Sequence, residues 1–180
     1  MKKVISTLML CAVVPLIFSG CAKKTDELTA GATDSQTAMA IYSAFGTVFS
    51  QLQYTPTDNP AGNINQTING TGGGNVVVTG TATMDQGSQH VNWNITLNWN
   101  NFKVSNGSDD YTLGGAMTYS GYAAANAAEA HFSAPSLTIN GTIGGTSIAG
   151  SISFGFDVSI SGGHGTISGN INGRSFSSSF

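Results

Sequence analysis

The chain has 180 residues, which fits one domain at the usual size of about 100–200 residues. Charged residues make up only 8% of it, the net charge is −3, and Lys23, Lys24, Lys103 and Arg174 are the only Lys and Arg after position 20. This composition excludes the basic patch that nucleic-acid binding requires. Because 40% of residues are hydrophobic, we expect a folded domain with an uncharged polar surface rather than disorder.

The first twenty residues have the pattern of an export signal. Two lysines precede an apolar run from Val4 to Phe18, which is shorter than the about 20 residues that span a bilayer. A basic start, an apolar middle and small residues before the cut, here Ser19-Gly20, are typical of a cleaved signal peptide. We therefore predict that residues 1–20 are removed.

The segment Phe18-Ser19-Gly20-Cys21 resembles the lipobox of bacterial lipoproteins. In that family a peptidase cuts before the cysteine, which carries a diacylglyceryl thioether and an acylated amine, so the resemblance implies lipidation of Cys21. Phe18 departs from the Leu, Ile or Val that the family more often has. The alternative is an ordinary signal peptide cut near a cysteine. Ala22 replaces the Asp that marks inner-membrane retention in enteric lipoproteins, so the resemblance favours the outer membrane.

The cysteine count agrees with this interpretation. Cys11 lies in the apolar run, which leaves Cys21 as the one thiol of the mature chain, with no partner for a disulfide. Several acyl chains on one residue give stable anchoring, at about 0.8 kcal/mol per buried methylene. Residues 21–33 are small and polar, and we predict a lipidated cysteine followed by a flexible tether.

Residues 34–53 are predicted to form an amphipathic helix. Asp34 or Ser35 is the expected N-cap, and the prolines at 56 and 60 close the segment. Steps of three and four residues place one apolar stripe along the helix. The stripe consists of Ala38, Ile41, Tyr42, Phe45, Val48, Phe49 and Leu52.

From about residue 62 the apolar period changes to two, which predicts strands with one buried and one wet face. The alternation is strongest over 91–100 and 148–160 and weaker over 76–84, 111–119, 137–143 and 167–171. Turn or bulge signals occur at Asn69-Gly70, Asn106-Gly107, Asn140-Gly141, Gly162-Gly163 and Asn172-Gly173. We predict a mainly β fold, an antiparallel meander of roughly eight strands. The Ala-rich stretch 123–130 is expected to be a loop or a helical turn.

Two architectures fit these elements across a single domain, 34–180. In the preferred one, a curved or barrel-like sheet packs its apolar face on the helix, because the helix stripe must be buried. In the alternative, the strands form a small outer-membrane barrel. Trp93 and Trp99, with Tyr111 and Tyr119, would then be the aromatic girdles that border its apolar band.

No residue pattern predicts a metal, cofactor or catalytic site. Zinc needs three or four converging ligands, and Glu129 and His131 form the one close pair that shares a strand face. Asp109-Asp110 lacks the spacing of a calcium loop and is expected to be a solvated turn. The remaining polar candidates, scattered along the chain, are His90, His131, His164 and Asp157.

Hydrolase and phosphate motifs are also missing. A Ser-His-Asp set from His164 and Asp157 has no supporting geometry, and Gly145-Thr146-Ser147 leads into a strand pattern rather than a nucleophile elbow. The glycines 72–74 lack the lysine and helix start of a phosphate loop. Arg174 is interpreted as a solubilising edge charge.

The sequence therefore predicts a lipid-anchored envelope protein without enzymatic activity, in a structural or interaction role. Faces rich in Asn, Ser and Thr suit a glycan or a partner strand, although they also simply solvate a sheet. One alternative is a carrier of a lipid or other apolar ligand, with a cavity of about 300–1,000 Å³ between helix and sheet. The other is the membrane barrel.

Overall fold

The computed structural model describes residues 33–53, 62–85, 87 and 90–180, so the predicted signal and most of the tether lie outside it. One helix precedes eight strands. The helix α1 spans Asp34–Phe49, and the strands are β1 (Gly62–Asn69), β2 (Asn75–Asp85), β3 (His90–Asn106), β4 (Asp109–Ala123), β5 (Ala127–Ile143), β6 (Thr146–Ser161), β7 (His164–Ile171) and β8 (Arg174–Ser179).

The strands form one sheet in sequence order from β1 to β8, and every neighbouring pair is antiparallel. The sheet curls around the helix without closing. This confirms the predicted mainly β meander with one N-terminal helix on its apolar face. The strict alternation of the sequence is the cause, because it gives the sheet one face that must be covered.

Bulges in the central strands bend the sheet. A bulge adds a residue to one strand, which increases the local twist. The register shifts lie between Trp99 and Phe102, between Gly115 and Thr118, and between Ala134 and Leu137. Pro135 falls within the last of these, at a position where a missing N–H donor does not break the ladder.

The helix begins with a different cap from the one predicted. Thr33, rather than Asp34 or Ser35, is the N-cap: its hydroxyl accepts a hydrogen bond from the Gln36 N–H at 3.1 Å. The Gln36 side chain accepts in return from the Thr33 N–H at 2.8 Å. This reciprocal capping box satisfies two N–H groups that a helix start leaves without partners.

Asp34 does not cap the helix, and its carboxylate binds Arg174. The Arg174 Nε and Nη2 atoms donate to the two Asp34 carboxylate oxygens, each at 3.1 Å. These hydrogen bonds raise the pKa of Arg174 above its ordinary value. The interpretation of Arg174 as a solubilising edge charge is therefore incomplete, because the residue also fastens the helix start to the turn between β7 and β8.

The helix ends at Phe49, earlier than predicted. The Gln51 and Leu52 N–H groups bond to the carbonyls three residues back, at 3.0 and 3.2 Å, so the last turn tightens and stops. Gln53 is then tied to β1, because its N–H donates to Gln66 Oε1 at 3.0 Å and its carbonyl accepts from Gln66 Nε2. In the described part of the chain, no helix is long and apolar enough to cross a bilayer.

The helix and sheet enclose a filled core. Phe45 lies at its centre, with ring centroids 4.4 Å from Tyr119 and 5.0 Å from Phe132. Tyr111 reaches across the core and donates its hydroxyl proton to the Ala40 carbonyl at 2.7 Å. Small residues on the helix, such as Ala40 and Ala44, are buried and permit this close approach.

The aromatic residues that a membrane barrel would place in outward girdles belong to this core. They face the helix, and their exposed fractions are 7% for Trp93, 2% for Trp99, 1% for Tyr111 and 6% for Tyr119. Their alternation with polar residues is thus the signature of a one-sided sheet, as the preferred architecture requires.

Two local predictions need correction. Of the stretch 123–130, only 124–126 form the predicted loop, whereas residue 123 ends β4 and residues 127–130 begin β5. Asn140-Gly141 is neither a turn nor a bulge but lies inside β5, in continuous register. Gly141 has a φ of +142°, and a Cβ there would collide with the backbone of Asp110 and Tyr111. The glycine is there because two backbones approach closely.

Candidate functional site

The outer face of the sheet is a grid of hydrogen-bonding side chains, most of which are uncharged. Residues paired across strands lie about 4.8 Å apart, so side chains in register form rows. One such row runs through Asn65, Thr79, Thr96, Thr118, Ser133, Gly155, Asn170 and Ser175. Within the described ranges, Met84 is the one large hydrophobic residue that is exposed, at 38%.

The sheet has two distinct ends. At the capped end, where Thr33 starts the helix, lie the turns at 70–74, 107–108, 144–145 and 172–173. At the far end lie the turns at 124–126 and 162–163 and the connection from β2 to β3. The three histidines are at the far end, because His90 starts β3, His164 starts β7 and His131 lies near the start of β5.

His131 and Asp157 form a hydrogen-bonded pair on the outer face at the far end. They are register partners on β5 and β6, and His131 Nδ1 lies 2.8 Å from an Asp157 carboxylate oxygen. The side chains are 52% and 69% exposed. Because an ionised carboxylate only accepts, Nδ1 carries the proton in this bond. The carboxylate thereby orients the ring and leaves Nε2 available to a ligand.

A shallow groove of about 290 Å³ lies beside this pair. Its walls are two outer rows of side chains on β4, β5 and β6. One wall is Ser120, His131 and Asp157, and the other is Tyr122, Glu129 and Ser159. The floor is the backbone of Gly121, Ala130 and Val158, whose own side positions face the core. We call this the far-end groove.

Tyr122 is held in place by a second aromatic ring. The His90 and Tyr122 rings stack with centroids 4.8 Å apart and planes 12° from parallel. His90 is on β3, whereas the groove opens over β5 and β6, so Tyr122 stands between the histidine and the groove. The stack fixes a planar ring at the groove wall before any ligand arrives.

The other predicted candidates lie elsewhere. Asp109 and Asp110 start β4 at the capped end rather than forming a solvated turn: Asp109 accepts from the Gly144 N–H at 2.7 Å, and Asp110 pairs with Lys103 at 3.0 Å. Glu129 and His131 share the outer face of β5, as predicted. Cys21 lies outside the described residues.

The Ser-His-Asp set considered from the sequence, with His164 and Asp157, does not form. Asp157 pairs with His131, not with His164. Ser120 is the register partner of His131, yet within the described residues its hydroxyl bonds to no other group. In the described part of the chain, no group of three or more His, Cys, Asp or Glu side chains lies close enough together to hold a metal ion.

Sequence reasoning missed Ser120, Tyr122 and Ser159. Their outward direction is visible in the alternation, but their meeting with Glu129 and His131 depends on strand register, which the sequence does not encode locally. A second hollow of about 420 Å³ lies between the end of the helix and β1, lined by Gln51, Gln53 and residues 66–69. It is polar and open.

The far-end groove therefore combines two carboxylates, an oriented imidazole, two serine hydroxyls and a tyrosine ring stacked on His90. Such a set suits recognition of a polar ligand through side chains. No protein-family model, curated protein or solved structure matches the chain.

Proposed function

We propose that this chain is a lipid-anchored envelope protein whose domain is a non-enzymatic interaction module. The anchor is Cys21, in an outer membrane, and the interacting surface is the outer face of the sheet at the far end. The observation that carries this proposal is the separation of the two. The helix starts at Thr33, at the capped end, and the groove with His131 and its two carboxylates opens at the opposite end.

This arrangement suits display on a membrane. The residues between Cys21 and the helix cap would connect the lipid to the capped end and leave the far end directed away from the membrane. The polar outer face, which carries few charges, would remain in water. The lipid then need not take part in the fold.

The filled interior favours an interaction module over a lipid carrier. The carrier alternative requires a cavity of about 300–1,000 Å³ between helix and sheet. In the described residues that space is occupied by one continuous cluster of buried side chains, including Phe45, Tyr119 and Phe132. The two hollows described above open on the surface instead.

Membrane fractionation of the Cys21→Ser variant tests the proposal. We expect the unaltered full chain in the membrane fraction and the variant, if exported and cleaved, as a soluble monomer in detergent-free buffer, because most large apolar side chains of the described residues are packed in the core. A Lys103→Ser variant, altered in the folded domain, is the control and should stay with the membrane. Membrane retention of the processed Cys21→Ser protein would overturn the anchor.

A further inference from the structure

We propose that the far-end groove binds a neutral saccharide, a hexose or N-acetylhexosamine unit of a glycan. The inference names a ligand for the interaction module and rests on that function, but it does not depend on lipidation of Cys21. Four features of the groove support a saccharide: its polar groups, its aromatic wall, its charge and the hydrogen-bonded backbone of its floor.

The polar groups match the hydroxyls of a sugar. Each sugar hydroxyl is one donor and two acceptors, so it needs acceptors and donors close together. Glu129 and Asp157 supply four carboxylate oxygens, one of which already accepts from His131, and carboxylates form the stronger, charge-assisted hydrogen bonds. The Ser120 and Ser159 hydroxyls and His131 Nε2 complete the set along both walls. The groove volume of about 290 Å³ limits the contact to about one ring.

The aromatic wall matches the C–H face of a sugar ring. The face of an aromatic ring carries negative charge density, which attracts the weakly positive hydrogens of a pyranose. Tyr122 is already fixed by its stack on His90, so little side-chain entropy is lost on binding. The Tyr122 ring would thus contact the apolar face of one sugar, while the two carboxylates bind its hydroxyl groups.

The charge of the groove restricts the sugar to an uncharged one. Lys103 and Arg174 are the only Lys and Arg after the tether, and both lie at the capped end, where each is paired with an aspartate. The groove itself contains two carboxylates and no Lys or Arg. A uronic acid, sulfate or phosphate group would therefore be repelled and would find no guanidinium or ammonium partner.

The groove floor argues against a peptide ligand. Its backbone belongs to β4, β5 and β6, and each of these strands is hydrogen-bonded to neighbours on both sides. A peptide strand pairs with a free sheet edge through main-chain hydrogen bonds. This floor offers none, so recognition must use side chains alone, which is the mode that a sugar needs.

The test is an NMR titration of the full chain, processed by the cell and held in a sugar-free detergent. The probes are maltotriose and triacetylchitotriose, with trigalacturonate as the acidic comparison. We expect at least one neutral probe to bind with a Kd of about 0.1–10 mM and to shift the amide signals of residues 120–122, 129–131 and 157–159, because a single ring fills the groove. The acidic trimer should bind at least about tenfold more weakly.

Variants assign the effect to the groove. Tyr122→Ala and Asp157→Asn should each weaken binding about tenfold, whereas Tyr122→Phe should retain it. Asp110→Asn is the matched control, because Asp110 is also an exposed aspartate with a side-chain partner but lies at the capped end. It should bind like the unaltered chain.

Three results would overturn the saccharide site. The first is the absence of groove shifts with either neutral probe at 50 mM, which is about fivefold above the weakest expected Kd. The second is binding of trigalacturonate that is as tight as that of the neutral probes, or tighter. The third is groove shifts from an uncharged Ser/Thr peptide with none from the sugars. Sugar binding by a chain whose Cys21 proves unmodified would support the groove and overturn only the anchor. The two proposals can therefore fail separately.

Discussion

Three tyrosines illustrate how single residues are adapted to the core. Burial raises the pKa of Tyr42 to about 12. Burial also raises the pKa of Tyr111 and Tyr119 well above the ordinary value, with smaller contributions from Asp109 and from Tyr42, respectively. A buried tyrosine that stays protonated lowers the stability of the folded state once the pH exceeds the pKa of the same tyrosine in the unfolded chain.

The pH dependence of stability follows from these shifts. Unfolded tyrosines ionise near pH 10, whereas the buried ones stay protonated, so the unfolded state binds fewer protons above that pH. We expect the free energy of unfolding to be unaffected by these groups below about pH 9 and to fall from pH 10 upwards, by up to about 1.4 kcal/mol per pH unit per tyrosine. Urea midpoints measured from pH 8 to 11.5 test this.

Single substitutions serve as controls for the alkaline loss. Tyr119→Phe should reduce the slope by about one third, because it removes one of the three groups. Thr47→Ala, which changes an exposed side chain that does not titrate, should leave the slope unchanged. A flat profile between pH 9.5 and 11.5 would contradict the burial of these hydroxyls.

At the level of single residues, the sequence predicts which face of the sheet a side chain occupies but not which distant residue it contacts. The alternation correctly predicts that Glu129 and His131 share the outer face of β5. It does not predict that His131 meets Asp157, 26 positions away, or that Asp34 meets Arg174, 140 positions away. Such pairs depend on the folded sheet, so the candidate groove was not predictable although its residues were visible.

Among the elements, the helix depends on its cap as well as on its apolar stripe. Thr33→Ala removes the hydroxyl that accepts from the Gln36 N–H, and we expect a loss of about 1 kcal/mol of stability. Thr47→Ala is the control, because Thr47 is exposed within the helix and alanine has the higher helix propensity. Thermal or urea unfolding should show a lower midpoint for Thr33→Ala alone. Equal midpoints would contradict the capping box.

The strands were more predictable than their ends. Period-two alternation identified the strands from β2 to β7, because one face of each must be apolar. Asn-Gly at 69, 106 and 172 lies at turns, but Asn140-Gly141 lies within β5, since the same dipeptide serves a turn or a close backbone contact. Local chemistry leaves these alternatives open, and only strand pairing decides between them.

At the scale of the whole molecule, the helix is part of the core rather than an attachment to it. Phe45 contacts Tyr119, Phe132 and Phe49, at 4.4, 5.0 and 5.1 Å between ring centroids. We expect Phe45→Ala to cost about 3–5 kcal/mol, since the closed core cannot collapse fully around the cavity. This is a large part of the about 5–15 kcal/mol that stabilises a typical domain.

Helix and sheet should therefore unfold together. Far-ultraviolet and near-ultraviolet circular dichroism should report one transition in urea, displaced to lower urea by Phe45→Ala. Met84→Ala is the control, because Met84 is 38% exposed, and its midpoint should barely move. A separate melting transition for the helix would contradict a single core.

We propose that lipid on Cys21 determines the position of this domain in the cell. Mass spectrometry of the N-terminal peptide of the membrane-extracted protein detects this lipid directly. We predict a chain that begins at Cys21 and carries the mass of a diacylglyceryl group and an N-linked acyl chain, with residues 1–20 absent. An N-terminal peptide with unmodified Cys21, or one that retains residues 1–20, would contradict lipid anchoring.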